Sequence, residues 1–323
     1  MKTFVCETFG PPNQLKEVDI APPPLDQGQV RIDVHAAGVG FVDGLLIQGK
    51  YQVKPPLPFY PGGEFSGVIV EAAVDADLEP GQRVMGMASS GAFGEQVVMQ
   101  GDHVVVVPQS IPHPVAASLY ANYATALFGL RDCGNLQAEE TILILGAAGG
   151  VGSAAIAVAR AMGARVIAAA STPEKRAAAI ANGAHDSVDY TQPDWRKTLS
   201  AVIPDGLNLV YDPVGGNYSE AAFRCLSPGG RFLVVGFAAG TIPSIPLNLA
   251  LLKRSSIVGV DWGGEARAHP TINKELVGTI LSWVAEGRLK PADVVERPIY
   301  EVREALEAQL AGEFVGKLVL VRH

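Results

Sequence analysis

Apolar and polar positions along the chain fall into two textures. Up to about residue 110 the apolar residues come in short, partly alternating runs: Lys2 to Cys6, GQVRIDVHAAGV (28–39), FSGVIVEA (65–72), QRVMGM (82–87), EQVVM (95–99) and HVVVVP (103–108). Runs of this length and period are strands, and the Pro and Gly clusters between them, such as APPPL and KPPLPFYPGG, are turns. The expectation is an all-β, barrel-like domain. From Val115 the texture changes to one long apolar helix, VAASLYANYATALFGLRDCG, with Gly134 as its C-terminal stop. This helix marks the junction between two domains.

Beyond it, strand-like and helix-like segments alternate. The strands are TILILG, ARVIAAA, HDSVDY, LNLVYDP, RFLVVGF and SSIVGVDW. Most are nearly continuous apolar runs, the mark of a parallel sheet covered on both faces, so this part reads as a doubly wound α/β domain. The tail carries two helices, NKELVGTILSWVAEGRL and VREALEAQLAG, and a last strand, KLVLVR. With the parallel sheet already complete, the tail is expected to return to the first domain. The division expected is therefore a β-barrel domain of residues 1–122 and 264–323 and a parallel-sheet domain of residues 123–263.

Composition narrows the function classes. A chain of 323 residues exceeds what one core usually serves, and 48% hydrophobic with 18% charged residues describes globular domains. A net charge of −8 works against binding nucleic acid or an anionic membrane surface, which both need clustered positive charge. Cys6, Cys133 and Cys225 are far apart and without CxxC spacing, so neither a disulfide framework nor a zinc cluster is signalled. No apolar run reaches the ~20 residues of a membrane span, and the N-terminus has no signal-peptide core, so a cytoplasmic location is expected.

The strongest chemical signal is TILILGAAGGVGSAAIAVARAMGARVIAAA: a strand, a glycine turn, an apolar helix and a second strand. Its turn reads Ala147-x-Gly149-x-x-Gly152, with Ala148, Gly150 and Val151 completing the expected phosphate cradle. Gly149 admits a pyrophosphate close to the backbone, Gly152 lets helix and strand pack tightly, and the helix N-terminus supplies free N–H groups. Gly-rich turns also join strands to helices for steric reasons alone, but here the strand-turn-helix-strand context is complete. At the end of the second strand, where a carboxylate would hold the ribose of NAD, the chain has Ala169-Ala170-Ser171-Thr172. Lys175 and Arg176 follow and suit a 2′-phosphate, which points to NADPH. With Glu174 among them they read otherwise as a solvated helix face.

Taken with AAGVGFVDGLLIQGKY, LPFYPGGEFSGVIVEA, YDPVGG and VVGFAAGTIPSIPLNLALLK, these motifs make the chain resemble the zeta-crystallin-like quinone oxidoreductase branch of the medium-chain dehydrogenase/reductase superfamily over nearly its whole length. The resemblance implies a GroES-like β-barrel domain plus a Rossmann domain, with substrate and nicotinamide in the cleft between them. Zinc-dependent relatives place a Cys ligand near Gly38 to Asp43 and a His before the Glu of the PGGE stretch. This chain has Gly63 before Glu64 and no cysteine between Cys6 and Cys133, so a metal-free protein is expected. The resemblance assigns Ser171 and Lys175 to the 2′-phosphate, Tyr190 to the adenine, Thr125 to the phosphates or nicotinamide, and Phe237 to the loop past the nicotinamide. It places Lys317 near the cofactor. Tyr190 reads equally as an aromatic closing the sheet, and Lys317 as a strand-start lysine. The family's AAGVN has Asn where this chain has Gly40, while Asp43 and Tyr51 are retained. Relatives form homodimers through an edge strand, for which SSIVGVDW, with Val258, is the candidate here.

The reaction implied is reduction of a quinone or small α,β-unsaturated carbonyl compound by NADPH. Without a metal, the developing oxyanion needs a hydrogen-bond donor, and Tyr51 is the candidate. It reads otherwise as an aromatic wall, and the proton can come from solvent. An enoyl-thioester (enoyl-CoA) reductase is the alternative, with Lys50 and Lys54 as the nearby basic residues. In another class, a non-catalytic NADPH-binding or RNA-binding crystallin-like protein stays open: Gly40 favours it, and the acidic charge weighs against RNA.

Overall fold

Alternating burial in the N-terminal segments builds antiparallel sheets. In the computed structural model, which describes residues 1–312 and 314–322, β1 (Lys2–Val5) pairs with β2 (Lys16–Asp19). A larger sheet takes in β3 (Gln29–Gly38), β4 (Glu64–Ala72), β5 (Arg83–Met87), β6 (Gln96–Gln100) and β7 (Val104–Val106), with the short helix α1 (Phe41–Ile47) after β3. Val30, Ile32 and Val34 of β3 are wholly buried at period two and pack with Phe65, Ile69, Val84 and Val97. An irregularity between Val34 and Ala36 shifts the register of β3 against β4 beyond the reach of β6, which pairs only over Gln29–Asp33.

The helix α2 (His113–Leu127) continues into a π-helical turn over Phe128–Cys133. Gly134 follows, as expected, but not in a left-handed conformation: its φ is −89°. A side chain there would come within 2.8 Å of Leu209 Cδ1 and 3.0 Å of Gly129 O, so the glycine answers to packing.

The alternating segments then form β8 (Thr141–Leu145), α3 (Gly150–Ala161), β9 (Arg165–Ala169), α4 (Pro173–Ala181), β10 (Asp186–Val188), α5 (Trp195–Val202), β11 (Leu207–Asp212), α6 (Tyr218–Phe223), β12 (Leu226–Val234), α7 (Leu247–Lys253), β13 (Ser256–Gly259) and α8 (Trp262–Ala268). The strands make one parallel sheet in the order β10-β9-β8-β11-β12-β13, the doubly wound dinucleotide-binding order. Leu143, Leu145, Ile167, Val210 and Phe232 supply one face of its core. The order reverses between β8 and β11, so the loops leaving these two strands diverge at their carboxyl ends.

The tail adds α9 (Pro270–Ala285), β14 (Val294–Pro298), α10 (Val302–Ala311) and β15 (Lys317–Val321). β15 pairs antiparallel with β3 and parallel with β14, so the tail does return to the first sheet. The chain separates into a unit of Met1–Ala121, His269–Ala285 and the residues from Asp293 onward, and a unit of Asn122–Ala268 with Glu286–Ala292. The break falls inside α2.

In the first unit, His113 sits half-buried in a polar pocket of the sheet. Ser66 Oγ donates to Val84 O (3.0 Å), which leaves its lone pair to accept from His113 Nδ1 (2.8 Å), while Arg83 Nε faces His113 Nε2 (3.4 Å). Burial first, then the charge of Arg83 and the neighbouring His35, pushes the imidazole down to about 4. The unfolded chain takes up this proton near pH 6.5 and the folded chain does not, so stability is expected to fall as pH drops from about 6.5 towards 4. His113→Gln should flatten that slope in urea midpoints measured across the range; an unchanged slope would refute the assignment.

Candidate functional site

The turn from β8 into α3 is set by three glycines with different reasons. Gly146 has a φ of +59°, where side chains are strained, and its carbonyl accepts the N–H of Gly149 (3.0 Å). Gly152 has no room for a side chain: a Cβ would stand 2.3 Å from Gly146 O and 2.8 Å from Ala147 Cα. Gly149 is different, because a Cβ there would meet nothing closer than Gly146 O at 3.4 Å. Nothing in the fold requires glycine at 149, which fits a backbone kept bare for a ligand's approach. Gly149 caps α3 without a side-chain hydrogen bond. The N–H groups of Gly150, Val151 and Gly152 therefore form an uncapped first turn at the positive end of the helix dipole. Ala148 is buried beneath the turn. Asn122 of α2 lies beside Gly150, 2.7 Å from where its Cβ would be, and Thr125 follows three residues on, along the same helix face.

Across the switch point, β11 ends in Asp212, which is 2% exposed. Its Oδ1 accepts the N–H groups of Val214 and Gly215 (both 2.8 Å), and its Oδ2 accepts the Ser219 hydroxyl (2.5 Å). Burial raises this carboxyl above the ordinary aspartate value, and the three hydrogen bonds oppose the rise. The Asp212 carbonyl accepts Val235 N–H (2.9 Å), Thr241 O accepts Gly216 N–H (2.9 Å), and Ala239 N–H reaches Val214 O (2.9 Å). The loops after β11 and β12 are thus zipped together, and Phe237 packs against Gly215, whose Cβ would lie 3.0 Å from its ring. Asp212 lay unremarked within the YDPVGG motif; an acidic residue at a strand end directly before Pro-x-Gly-Gly was the available signal.

At the carboxyl end of β9, Thr172 Oγ1 caps α4 by accepting the N–H of Lys175 (3.2 Å), with half-buried Ser171 before it. Arg176 and Lys175 part company here. Arg176 pairs with Asp189 (3.0 Å), whereas Lys175 pairs with no carboxylate among the described residues. Tyr190, just past β10, packs its ring 4.4 Å from that of Tyr218. The parallel-sheet unit therefore carries Ser171, Tyr190 and Phe237 on loops after its strands, the turn 148–152 running into the first turn of α3, Lys175 in the first turn of α4, and Thr125 on α2.

The other two candidates belong to the first unit. Tyr51 is half-buried on the loop after α1. Lys317 is buried, and its ammonium meets Glu64 Oε2 at 2.7 Å; Glu64 Oε1 accepts Ala121 N–H (2.9 Å). Asp43 accepts the Gly40 N–H (2.7 Å) at the start of α1. Burial lifts its carboxyl to about 6, against the pull of that N–H and of Lys317 and with the push of Glu64. Among the described residues no group of three or more His, Cys, Asp or Glu side chains is placed to hold a metal ion, and no helix is long and apolar enough to cross a membrane.

Known proteins resemble this chain in sequence and in fold. Residues 26–109 match the family model of the alcohol dehydrogenase GroES-like domain, and residues 150–277 that of zinc-binding dehydrogenase. Quinone oxidoreductase-like protein 2 of Rattus norvegicus is 35% identical over 99% of this chain and 91% of its own length. A probable oxidoreductase from Mycobacterium abscessus superposes with a TM-score of 0.90 at 34% identity, over 100% of this chain and 99% of that one. The quinone oxidoreductase of Thermus thermophilus, solved alone and with NADPH, gives a TM-score of 0.84 at 29% identity, with 100% of both chains covered.

The contrast between the two glycines is testable. Gly152→Ala should cost about 1–3 kcal/mol in urea denaturation, because backbone must shift to admit the methyl group. Gly149→Ala should leave stability within about 0.5 kcal/mol yet weaken dinucleotide binding about tenfold in a fluorescence titration. Equal losses of stability in both variants would contradict this division of roles.

Proposed function

The chain belongs to the quinone oxidoreductase branch of the medium-chain dehydrogenase/reductase superfamily, and from there we propose that it uses NADPH to reduce a quinone or a small α,β-unsaturated carbonyl compound without a metal ion. The observation that carries this reading is the uncapped first turn of α3 above a turn whose Gly149 is glycine for no reason internal to the fold. The NADPH complex of the Thermus relative supports the choice of nucleotide, as does a Lys175 that no carboxylate among the described residues neutralises.

When bound, the reduced nicotinamide supplies the hydride. The N–H groups of Gly150, Val151 and Gly152 hold the pyrophosphate, in the manner helix N-termini hold anions. Ser171 and Lys175 take the 2′-phosphate, and Tyr190, already packed on Tyr218, flanks the adenine. Thr125 and Phe237 orient the nicotinamide end, and Asp212 holds the Phe237 loop in place through the backbone ties described above. Tyr51 donates a hydrogen bond to the developing oxyanion and solvent provides the proton. Lys317 we assign to its ion pair with Glu64, which occupies the ammonium inside the first unit. We further propose that two copies pair through β13, an edge strand with Ile257 exposed, next to the exposed Leu251 and Leu252 of α7.

For the enoyl-thioester alternative, Lys50 and Lys54 are both exposed, and Lys50 is engaged by Gln48 (2.6 Å). The test separates these readings. Purified protein is titrated with NADPH and NADH by fluorescence, then nucleotide absorbance is followed on adding a quinone, an enone or an enoyl-CoA. NADPH is expected to bind about tenfold tighter than NADH, to be consumed with quinone or enone, and to do so in a dimer by sedimentation velocity. Turnover confined to enoyl-CoA would replace the substrate assignment, and tight NADPH binding with no turnover would favour the non-catalytic protein.

A further inference from the structure

The carboxyl end of β9 is where a doubly wound domain reads the adenosine ribose, through a carboxylate for NAD or a cation for a 2′-phosphate. β9 ends here in Ala169, and Ala170 and Ser171 follow it, with no acid among them. The neighbouring strand supplies one instead. Ala170 N–H donates to Val188 O (3.1 Å), which brings Asp189, the next residue, to the same edge. Asp189 is held from both sides: Oδ1 accepts the N–H and hydroxyl of Thr191 (3.0 and 2.6 Å), and Oδ2 faces Arg176 Nη1 (3.0 Å) and Gln192 Nε2 (3.4 Å). The same Nη1 of Arg176 lies 3.4 Å from Ala170 O, so the guanidinium stands at the strand end. Both side chains of the pair are only about a fifth exposed, at 21% and 22%.

We propose that Asp189 sets the nucleotide preference of this site: it holds Arg176 in an ion pair, leaves Lys175 to meet the 2′-phosphate, and so keeps NADH acceptable. This rests on the assignment of the site to NADPH. Two cations flank the ribose position in the sequence, but one is neutralised in place. A phosphate brought beside the pair meets the Asp189 carboxylate as well as the Arg176 guanidinium, and the two oppose each other. The ribose hydroxyls of NADH meet an acceptor instead of a second cation. Removing the carboxylate reverses both effects, because Arg176 is then free to chelate the phosphate with Lys175.

The test compares NADPH and NADH dissociation constants, by fluorescence or calorimetry, for the wild-type chain and for Asp189→Asn, Arg176→Ala, the double variant and Lys175→Ala. Asp189→Asn is expected to raise the preference for NADPH about tenfold, with most of that gain lost in the Arg176→Ala background and at high salt. Asp189→Ser, which keeps an oxygen for the Thr191 N–H, repeats the measurement should the Asn variant melt early. A preference unchanged by Asp189→Asn and Asp189→Ser, or raised equally without Arg176, overturns the proposal. Lys175→Ala tells this failure from that of the underlying assignment. If it weakens NADPH while Asp189 has no influence, the proposal alone falls; if it leaves NADPH binding unchanged, the 2′-phosphate reading falls with it.

Discussion

The contact between Gly152 and the carbonyl of Gly146 is the constraint on which the rest of the dinucleotide unit depends. Because nothing larger than hydrogen fits at residue 152, the first turn of α3 rests directly on the end of β8. That approach fixes where the helix begins and aims its unsatisfied N–H groups past the strand end. A helix start displaced by one side chain would have the same dipole and the same donors, but they would be offered elsewhere. The anion site proposed for this turn is therefore a product of packing, and no basic side chain in the turn is needed to produce it.

A second constraint holds the opposite wall of the switch point. Burying the Asp212 carboxylate costs free energy, and the two backbone N–H groups and the Ser219 hydroxyl offset that cost by ordering the loop after β11. The loop after β12 then takes its shape from the first through backbone ties, and Phe237 gets its position from both. In the first unit a similar economy operates around Glu64, whose two oxygens satisfy Lys317 and the Ala121 N–H. In each case a buried charge organises backbone that carries no charge of its own.

The parallel sheet was legible in the sequence because its strands are continuous apolar runs separated by helix-forming segments. β2, α1 and β14 were not. β2 is mostly exposed and has no apolar run; α1 is short and carries Gly44, which packs on Leu310 with no room for a side chain; β14 is half-exposed and ends in Pro298. The turn from β8 into α3 was readable from the glycine spacing within its strand-turn-helix-strand context, and the close packing that makes residue 152 a glycine is seen in the structure. The ion pairs were out of reach. Glu64 and Lys317 are 253 residues apart, and the pairing of Arg176 with Asp189 depends on which strand lies beside β9. Both pairings change what a sequence-level lysine or arginine is free to do.

Hydride transfer to an acceptor from a nucleotide held on α3, as proposed, is tested with NADPH deuterated separately on each face of C4. An acceptor reduced at a site that holds the nicotinamide in one orientation draws hydrogen from one face only. A primary isotope effect on quinone or enone reduction is expected with one labelled form and none with the other, in a reaction dependent on the protein. Loss of label from both faces alike, at the rate seen in buffer, would contradict it.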